Sequence, residues 1–149
     1  MSDIITITGS LGSGKSTVAK IIEEKLGFTR YSTGQAQRQI AEKYGITTLE
    51  LNKRAEIDKT IDEEIDGVFR GLEIKNRPMV IDSRMAWHFI SSSFKVKLEI
   101  DETEAAKRVF NDDTRKNETR LSLEETLLNL RKRRQSEVER FKKYYRVDI

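Results

Sequence analysis

The chain has 149 residues, 28 Lys or Arg against 25 Asp or Glu, and no cysteine. This length fits one domain, residues 1–149, around a single core, and the lack of cysteine excludes disulfides and thiolate metal sites. No apolar run approaches the ~20 residues of a bilayer span, and the N-terminus MSDIITITGS does not resemble a signal peptide. We therefore expect a soluble, cytoplasmic protein with no membrane partner.

The first predicted strand leads directly into a glycine-rich segment. The residues from Ile4 to Thr8 are all β-branched, which predicts a strand buried on both faces of a parallel sheet. The next nine residues, GSLGSGKST, match G-x-x-x-x-G-K-[ST]. Backbone N–H groups of such a loop surround phosphate oxygens, Lys15 reaches the β and γ phosphates, and Ser16 ligates Mg²⁺. The predicted ATP-binding residues are Gly9, Ser10, Leu11, Gly12, Ser13, Gly14, Lys15, Ser16 and Thr17.

Helices and strands alternate along the rest of the chain. Ser122 with Glu125 forms a capping-box pattern that opens a long last helix ending near Tyr145. The alternation predicts an α/β fold, a parallel sheet flanked by helices and joined by right-handed crossovers. The other predicted helices are 15–26, 34–44, 48–55, 58–74, 86–90 and 103–110, the later strands are 28–32, 78–82 and 94–100 (the last nearer an edge), and 111–121 is a loop.

Three charged residues lie where predicted strands end or the next helix begins. Asp82 ends the strand MVID, and ligands of parallel sheets bind at the carboxyl ends of the strands. We expect it to serve Mg²⁺, directly or through water, and a helix cap is the alternative. Arg84 follows two residues later, and Arg38 comes early in the helix after the second strand. Both are predicted to hold phosphate, with an exposed surface charge as the alternative.

The glycine loop alone does not define the reaction, because kinases, GTPases and motor ATPases all use it. A GTPase would need a guanine-binding motif such as N-K-x-D, which the sequence does not contain. AAA-type and helicase ATPases need a longer chain than this one. A small-molecule kinase fits the length, and it needs arginines for a second anion as well as a partner for Mg²⁺.

The last helix carries an apolar seam with charged residues beside it. Arg134 falls on the seam, where we expect it to pair with a core acid or to extend outward from the core. Arg133, Glu137 and Arg140 line the flank, which fits either a salt-bridge ladder or one wall of a dianion site. The seam consists of Leu123, Leu127, Leu130, Val138, Phe141 and Tyr145.

An acidic helix face is predicted earlier in the chain. Asp58, Asp62 and Asp66 recur every four residues, so their carboxylates share one side of the helix. A solvated face is the favoured interpretation, and recognition of a nucleotide base is the alternative, because a carboxylate accepts from an amino group.

Together these segments resemble the cytidylate kinase-like branch of the nucleoside monophosphate kinases over nearly all 149 residues. The resemblance implies ATP and Mg²⁺ as cofactors and phosphoryl transfer to CMP or dCMP, without a protein nucleophile. It rests on GSLGSGKST, YSTGQAQRQIAEKYGI, AEIDKTIDEEID, VIDSRMAW and RRQSEVERFKKYYRVDI.

The resemblance also implies roles for individual residues. Lys15, Arg84, Arg115 and Arg133 would be the catalytic residues, and Ser16 with Asp82 would hold the metal. Acceptor-binding helices would lie within about 34–75, and the loop 111–121 would be a lid with Arg115 and Arg120 as charge neutralisers. The acceptor-binding residues would be Thr33 near the base, Arg38 on the monophosphate, Asp62 at the base, and Arg84, Arg133, Glu137 and Arg140.

Two features depart from the family pattern. Gln35 stands where relatives often carry an acid. Relatives also continue into a fifth strand, an adenine-packing loop and a final helix, so we expect four strands here where the family has five. The adenine-packing loop bears on adenine affinity and on full activity, which the sequence therefore leaves open. Phosphate binding by the glycine loop does not depend on it.

Two other functions stay as alternatives. One is a P-loop kinase for another small molecule, which would share Lys15, Ser16 and Asp82. The other is a catalytically weak relative that binds ATP or regulates. Docking of RNA along the basic residues 131–146 is disfavoured, because Phe141 and Tyr145 lie on the apolar seam and are not free to stack on bases.

Overall fold

The computed structural model describes residues 3–72, 77–112 and 121–149. Its strands are β1 (Ile4–Gly9), β2 (Thr29–Ser32), β3 (Met79–Asp82) and β4 (Phe94–Leu98). Its helices are α1 (Lys15–Leu26), α2 (Thr33–Lys43), α3 (Thr48–Ile57), α4 (Lys59–Leu72), α5 (Ala86–Phe89), α6 (Glu102–Phe110) and α7 (Leu123–Tyr145). The predicted elements are all present with ends shifted by one or two residues, and residues 73 and 74 of the predicted fourth helix lie outside the described part.

The four described strands form one parallel sheet in the order β2-β3-β1-β4. Ile4 of β1 is in register with Met79 of β3, and Ile5 of β1 is in register with Phe94 of β4. The predicted parallel α/β sheet is therefore confirmed, and β4 is an edge strand as expected. Because β1 and β3 are the two inner strands, the segments that follow them begin side by side.

Alternation along the strands assigns residues to the two faces of the sheet. Val80 and Ile7 pack with Ala19 of α1 on one face, and Ile81 packs with Phe69 of α4 on the other. Val18 and Ile22 also pack against the α1 cluster. Ile21 and Leu26 of α1 are exposed, and the small Ala19 takes the fully buried place on this helix.

The described residues divide into two compact units. The first comprises the chain up to Gly9 and residues 14–98, and it contains the sheet with α1 to α5. The second comprises Ser10–Ser13 and residues 99–149, with α6 and α7. Within the described residues, no helix has both the length and the apolar composition that crossing a bilayer requires.

The second unit is built on two capped helices. Asp101 caps α6 by accepting the N–H groups of Thr103 and Glu104, and the capping box of Ser122 and Glu125 opens α7 as predicted. A salt bridge between Glu102 and Arg131 connects the two helices. Arg134 is exposed, so the predicted pairing with a core acid was wrong. The buried residues of α7 are Thr126, Glu137, Arg140 and Phe141.

Candidate active site

The glycine loop adopts a backbone that side chains disfavour. Gly9, Gly12 and Gly14 have φ angles of 148°, 82° and 92°, a region that residues with a Cβ rarely enter. The ammonium of Lys15 donates to the carbonyl oxygen of Gly9 at 2.8 Å, back across the loop. The Gly14 carbonyl accepts from Val18 and so joins the loop to α1. The loop therefore lies at a helix N-terminus, where backbone N–H groups favour an anion.

The tip of the loop, Ser10–Ser13, is closely packed within the second unit. A Cβ at Gly12 would lie 2.7 Å from the carbonyl oxygen of Ala105 in α6, so no larger residue fits without displacement. Ser13 donates its N–H to the carbonyl of Ser10 at 3.2 Å. The Ser13 hydroxyl is buried and has no hydrogen-bond partner within the described residues. A buried hydroxyl of this kind fits a loop that accommodates a polar group such as a phosphate.

The two residues predicted to serve the metal are in direct contact. The hydroxyl of Ser16, at the start of α1, donates to Oδ2 of Asp82 at 2.5 Å, at the carboxyl end of β3. Asp82 is 4% exposed. Hydroxyl and carboxylate oxygens are hard ligands of the kind that Mg²⁺ takes together with phosphate oxygens and water. The donor set therefore fits Mg²⁺, and no cluster of three or more His, Asp or Glu occurs elsewhere in the described ranges as a competing site.

A second hydroxyl reaches the same carboxylate oxygen. Ser32, the last residue of β2, donates to Oδ2 of Asp82 at 3.3 Å and accepts from the N–H of Gln35 as the cap of α2. Thr33 donates to the carbonyl oxygen of Asp82, also at 3.3 Å. The start of α2 is thus attached to the end of β3. The sequence analysis did not identify Ser32 as a site residue. Its position at the end of a strand and just before a helix is the signal that could have identified it.

Arg38 lies on the first turns of α2 and extends back toward that helix start. Its side chain is exposed, and Nη1 lies 3.9 Å from where a Cβ on Gly34 would be. Ser32 Oγ is 3.8 Å from the same point. A guanidinium here is close to the Asp82 cluster and open to solvent, as a group that binds a mobile anion needs to be.

Hydrogen bonds to backbone groups fix the turn after Asp82, which contains Arg84. Ser83 donates its N–H to the carbonyl of Ile7, and its hydroxyl accepts the N–H groups of Met85 and Ala86. Ser83, rather than Asp82, therefore caps the turn into α5, and the cap alternative for Asp82 was wrong. The Arg84 carbonyl accepts from the Thr8 hydroxyl at 3.1 Å and from the Trp87 indole at 2.8 Å.

The acidic face of α4 differs from the solvated face that we expected. Asp62 and Asp66 are 3% and 7% exposed, whereas Asp58 is exposed and accepts from Thr60 at the start of the helix. Burial, and then the nearby Asp66 carboxylate, raise the pKa of Tyr31. The solvated interpretation is therefore wrong for Asp62 and Asp66. Buried carboxylates need polar partners, and a role of Asp62 at the nucleotide base stays a prediction.

The flank of α7 forms a buried polar row within the second unit. Arg133 Nε donates to Glu137 Oε1 at 3.1 Å, and the two side chains are 19% and 3% exposed. Arg140 is buried as well, with Nη1 donating to Ser136 at 3.4 Å and its guanidinium 5.3 Å from the ring of Phe141. The Arg133–Glu137 step of the predicted ladder is therefore present, and Arg140 is bonded to Ser136. A role of these residues toward an acceptor stays a prediction, and Arg115, Arg120 and residues 113–120 of the predicted lid lie outside the described residues.

Comparisons with known proteins show what the chain is similar to. A family model described as an AAA domain matches residues 5–142. The chain is 36% identical to the cytidylate kinase of Natronomonas pharaonis over 148 residues, which are 98% of this chain and 74% of that protein. It is 42% identical over 111 residues to the S-adenosylmethionine-dependent nucleotide dehydratase of Lacinutrix mariniflava, covering 73% of this chain and 23% of that protein.

Solved structures confirm the fold. Shikimate kinase from Bacteroides thetaiotaomicron superposes with a TM-score of 0.65 at 18% identity, covering 96% of this chain and 81% of that one. A parallel sheet whose first strand opens into a phosphate loop, with a serine of that loop on a strand-end aspartate, is the arrangement of P-loop nucleotide-binding proteins. The chain belongs to the P-loop family that the AAA-domain model describes and that includes archaeal cytidylate kinases.

Proposed function

We propose that the chain transfers the γ-phosphoryl group of ATP to a nucleoside monophosphate, with CMP or dCMP as the first acceptor to test. The observation that carries this proposal is the shared carboxylate oxygen of Asp82, which accepts from Ser16 of the ATP loop and from Ser32 at the start of α2. One oxygen thereby joins the donor loop to the helix that bears Arg38. The cytidylate kinases among the relatives support a nucleotide acceptor.

The proposed mechanism needs no protein nucleophile. An oxygen of the acceptor phosphate attacks the γ-phosphorus while the bond to the bridging oxygen of ADP breaks, so the protein positions two anions and balances charge. Lys15 leaves the Gly9 carbonyl, which it contacts at 2.8 Å, and binds the β and γ phosphates. When bound, Mg²⁺ neutralises charge on the phosphate oxygens. Ser16 and Asp82 hold it, directly or through water.

The acceptor phosphate is assigned to arginines. Arg38 is exposed at the start of α2, and Arg84 follows Asp82 on a backbone held by Thr8 and Trp87. Guanidinium groups bind phosphate in a bidentate way, so two of them fix both position and orientation. Family resemblance adds Arg133, Glu137 and Arg140, and it adds Arg115 as a charge neutraliser. Thr33 and the buried Asp62 would lie at the base.

A panel of acceptors tests the proposal. ADP release from ATP and Mg²⁺ is followed with CMP, dCMP, UMP, AMP, GMP and shikimate, the last because the structural neighbours include shikimate kinases. Turnover with CMP or dCMP at least tenfold above the rest supports the proposal. Turnover with shikimate alone contradicts a nucleotide acceptor, and ATP binding without turnover on any acceptor supports the catalytically weak alternative.

A further inference from the structure

The backbone of Arg84 is fixed by two side chains that belong to no predicted site. Its carbonyl oxygen accepts from Thr8 Oγ1 at 3.1 Å and from Trp87 Nε1 at 2.8 Å. A carbonyl oxygen has two lone pairs, so both are occupied. Thr8 lies in β1 just before the glycine loop, and Trp87 lies in α5 just after Arg84.

Hydrogen bonds also fix the residues immediately before and after Arg84. The Ser83 hydroxyl accepts the N–H groups of Met85 and Ala86, each at 3.1 Å, and the Ser83 N–H donates to Ile7 of β1. Backbone groups immediately before and after Arg84 are therefore bound. The Arg84 side chain is half-buried and extends from a backbone whose neighbouring groups are hydrogen-bonded.

We propose that Thr8 and Trp87 are positioning residues that aim the Arg84 guanidinium at the acceptor phosphate. This inference rests on the proposed function, in which Arg84 binds that phosphate. Preorganised ligands bind more tightly because less freedom is lost on binding. Since β1 continues directly into the glycine loop, the Thr8 contact also sets the position of Arg84 relative to the strand from which the ATP loop departs.

Three substitutions separate positioning from general packing. Thr8→Val removes the hydroxyl but keeps a β-branched shape, Thr8→Ser keeps the hydroxyl, and Trp87→Phe keeps an aromatic ring but loses the N–H donor. Thr8→Val and Trp87→Phe should each raise the KM of the acceptor about fivefold, the equivalent of one lost hydrogen bond. The KM of ATP should stay within twofold, and Thr8→Ser should behave like the wild type.

The decisive measurement repeats the series in an Arg84→Ala background. If Thr8 and Trp87 act through Arg84, Thr8→Val and Trp87→Phe should not raise the acceptor KM further in that background. His88→Gln is the matched control, because His88 neighbours Trp87 on α5 and its side chain is exposed. Because Trp87 is the only tryptophan, its indole N–H also gives one resonance, whose exchange should accelerate in Thr8→Val.

Each result supports or overturns the inference. An equal rise in both KM values, additive effects in the Arg84→Ala background, or an unchanged acceptor KM would overturn it. If the wild-type protein is active in those cases, the results do not contradict the proposed function. A wild-type protein that turns over none of the monophosphates contradicts the proposed function, and this inference with it.

Discussion

Ser16 and Asp82 form a 2.5 Å hydrogen bond between residues 66 positions apart in the sequence. The contact connects the first turn of α1 to the carboxyl end of β3, so the hydroxyl and carboxylate are already adjacent. A metal site that is assembled in advance needs little rearrangement when a nucleotide arrives.

Asp82→Asn should therefore weaken the response to Mg²⁺. The amide keeps the shape but removes the negative charge, and we expect kcat to fall about 10- to 100-fold with a higher Mg²⁺ requirement. Activity measured against Mg²⁺ concentration checks this. Asp58→Asn is the matched control, because Asp58 is an exposed acid that only caps α4. An unaltered Mg²⁺ curve for Asp82→Asn would show that its carboxylate has a purely structural task.

Lys15→Ala should abolish turnover while the protein stays folded. Lys15 donates to the carbonyl oxygen of Gly9 in the loop, whereas in the reaction its positive charge is needed at the phosphates. We expect a loss of at least about 100-fold in kcat, with the thermal midpoint little changed. Lys20→Ala on the exposed side of α1 provides the control. Retained turnover in Lys15→Ala would contradict the kinase mechanism.

Arg38→Ala should affect the acceptor and spare ATP. Loss of charged hydrogen bonds to a phosphate predicts an acceptor KM about 10- to 100-fold higher, with the ATP KM unchanged. Gln39→Ala tests the specificity of the effect, because Gln39 is the exposed neighbour on α2. If both substrates bind Arg38→Ala normally, the acceptor phosphate is held elsewhere.

Gly12→Ala should destabilise the protein more than an alanine at another left-handed glycine. Gly12 has φ of 82°, and an added Cβ would meet Ala105 O at 2.7 Å. The backbone conformation alone costs a residue with a Cβ about 1–2 kcal/mol, and the clash adds to it. Gly45→Ala isolates the first term, because Gly45 has φ of 65° and open space around it. Urea unfolding of both variants gives the difference, and equal losses would show that the Ala105 contact is relaxed at no cost.

Arg133→Met should destabilise the protein through the charge it leaves behind. Glu137 is 3% exposed and would lose its ion pair with Arg133. We expect a loss of about 2 kcal/mol, below the usual range for a broken buried pair because Arg133 keeps 19% exposure. Arg134→Met is next to it but exposed, so its unfolding free energy should change by less than about 0.5 kcal/mol. Equal stability of the two variants would show that Glu137 is held by other groups.

Local patterns predicted most of the fold. The β-branched run from Ile4, the glycine loop and the capping box at Ser122 each act through neighbouring residues, so their structures followed from the sequence. The errors concern burial. Asp62 and Asp66 look like a solvated face until other elements cover them, and Arg134 lies on the seam of an ideal wheel although the real contact face is turned away from it.

The same distinction between local patterns and long-range contacts applies to the candidate site. Lys15, Ser16 and Asp82 were predictable, because a motif and a strand end determine their positions, and the structure joins Ser16 to Asp82 directly. Ser32, Thr8 and Trp87 were missed because their importance comes from pairing across the sheet and the turn after it, and no spacing in the sequence encodes that.

The strand order has a consequence for how the protein folds. β1 is made first, yet both of its neighbours, β3 and β4, come from the second half of the chain. Long-range parallel pairing is slow, because a large loop must close before any contact compensates for it. The glycine loop therefore takes its final shape late. Until β3 and β4 arrive, the isoleucines of β1 lack their neighbouring strands, and exposed apolar strand surface of this kind favours aggregation of a partly folded chain.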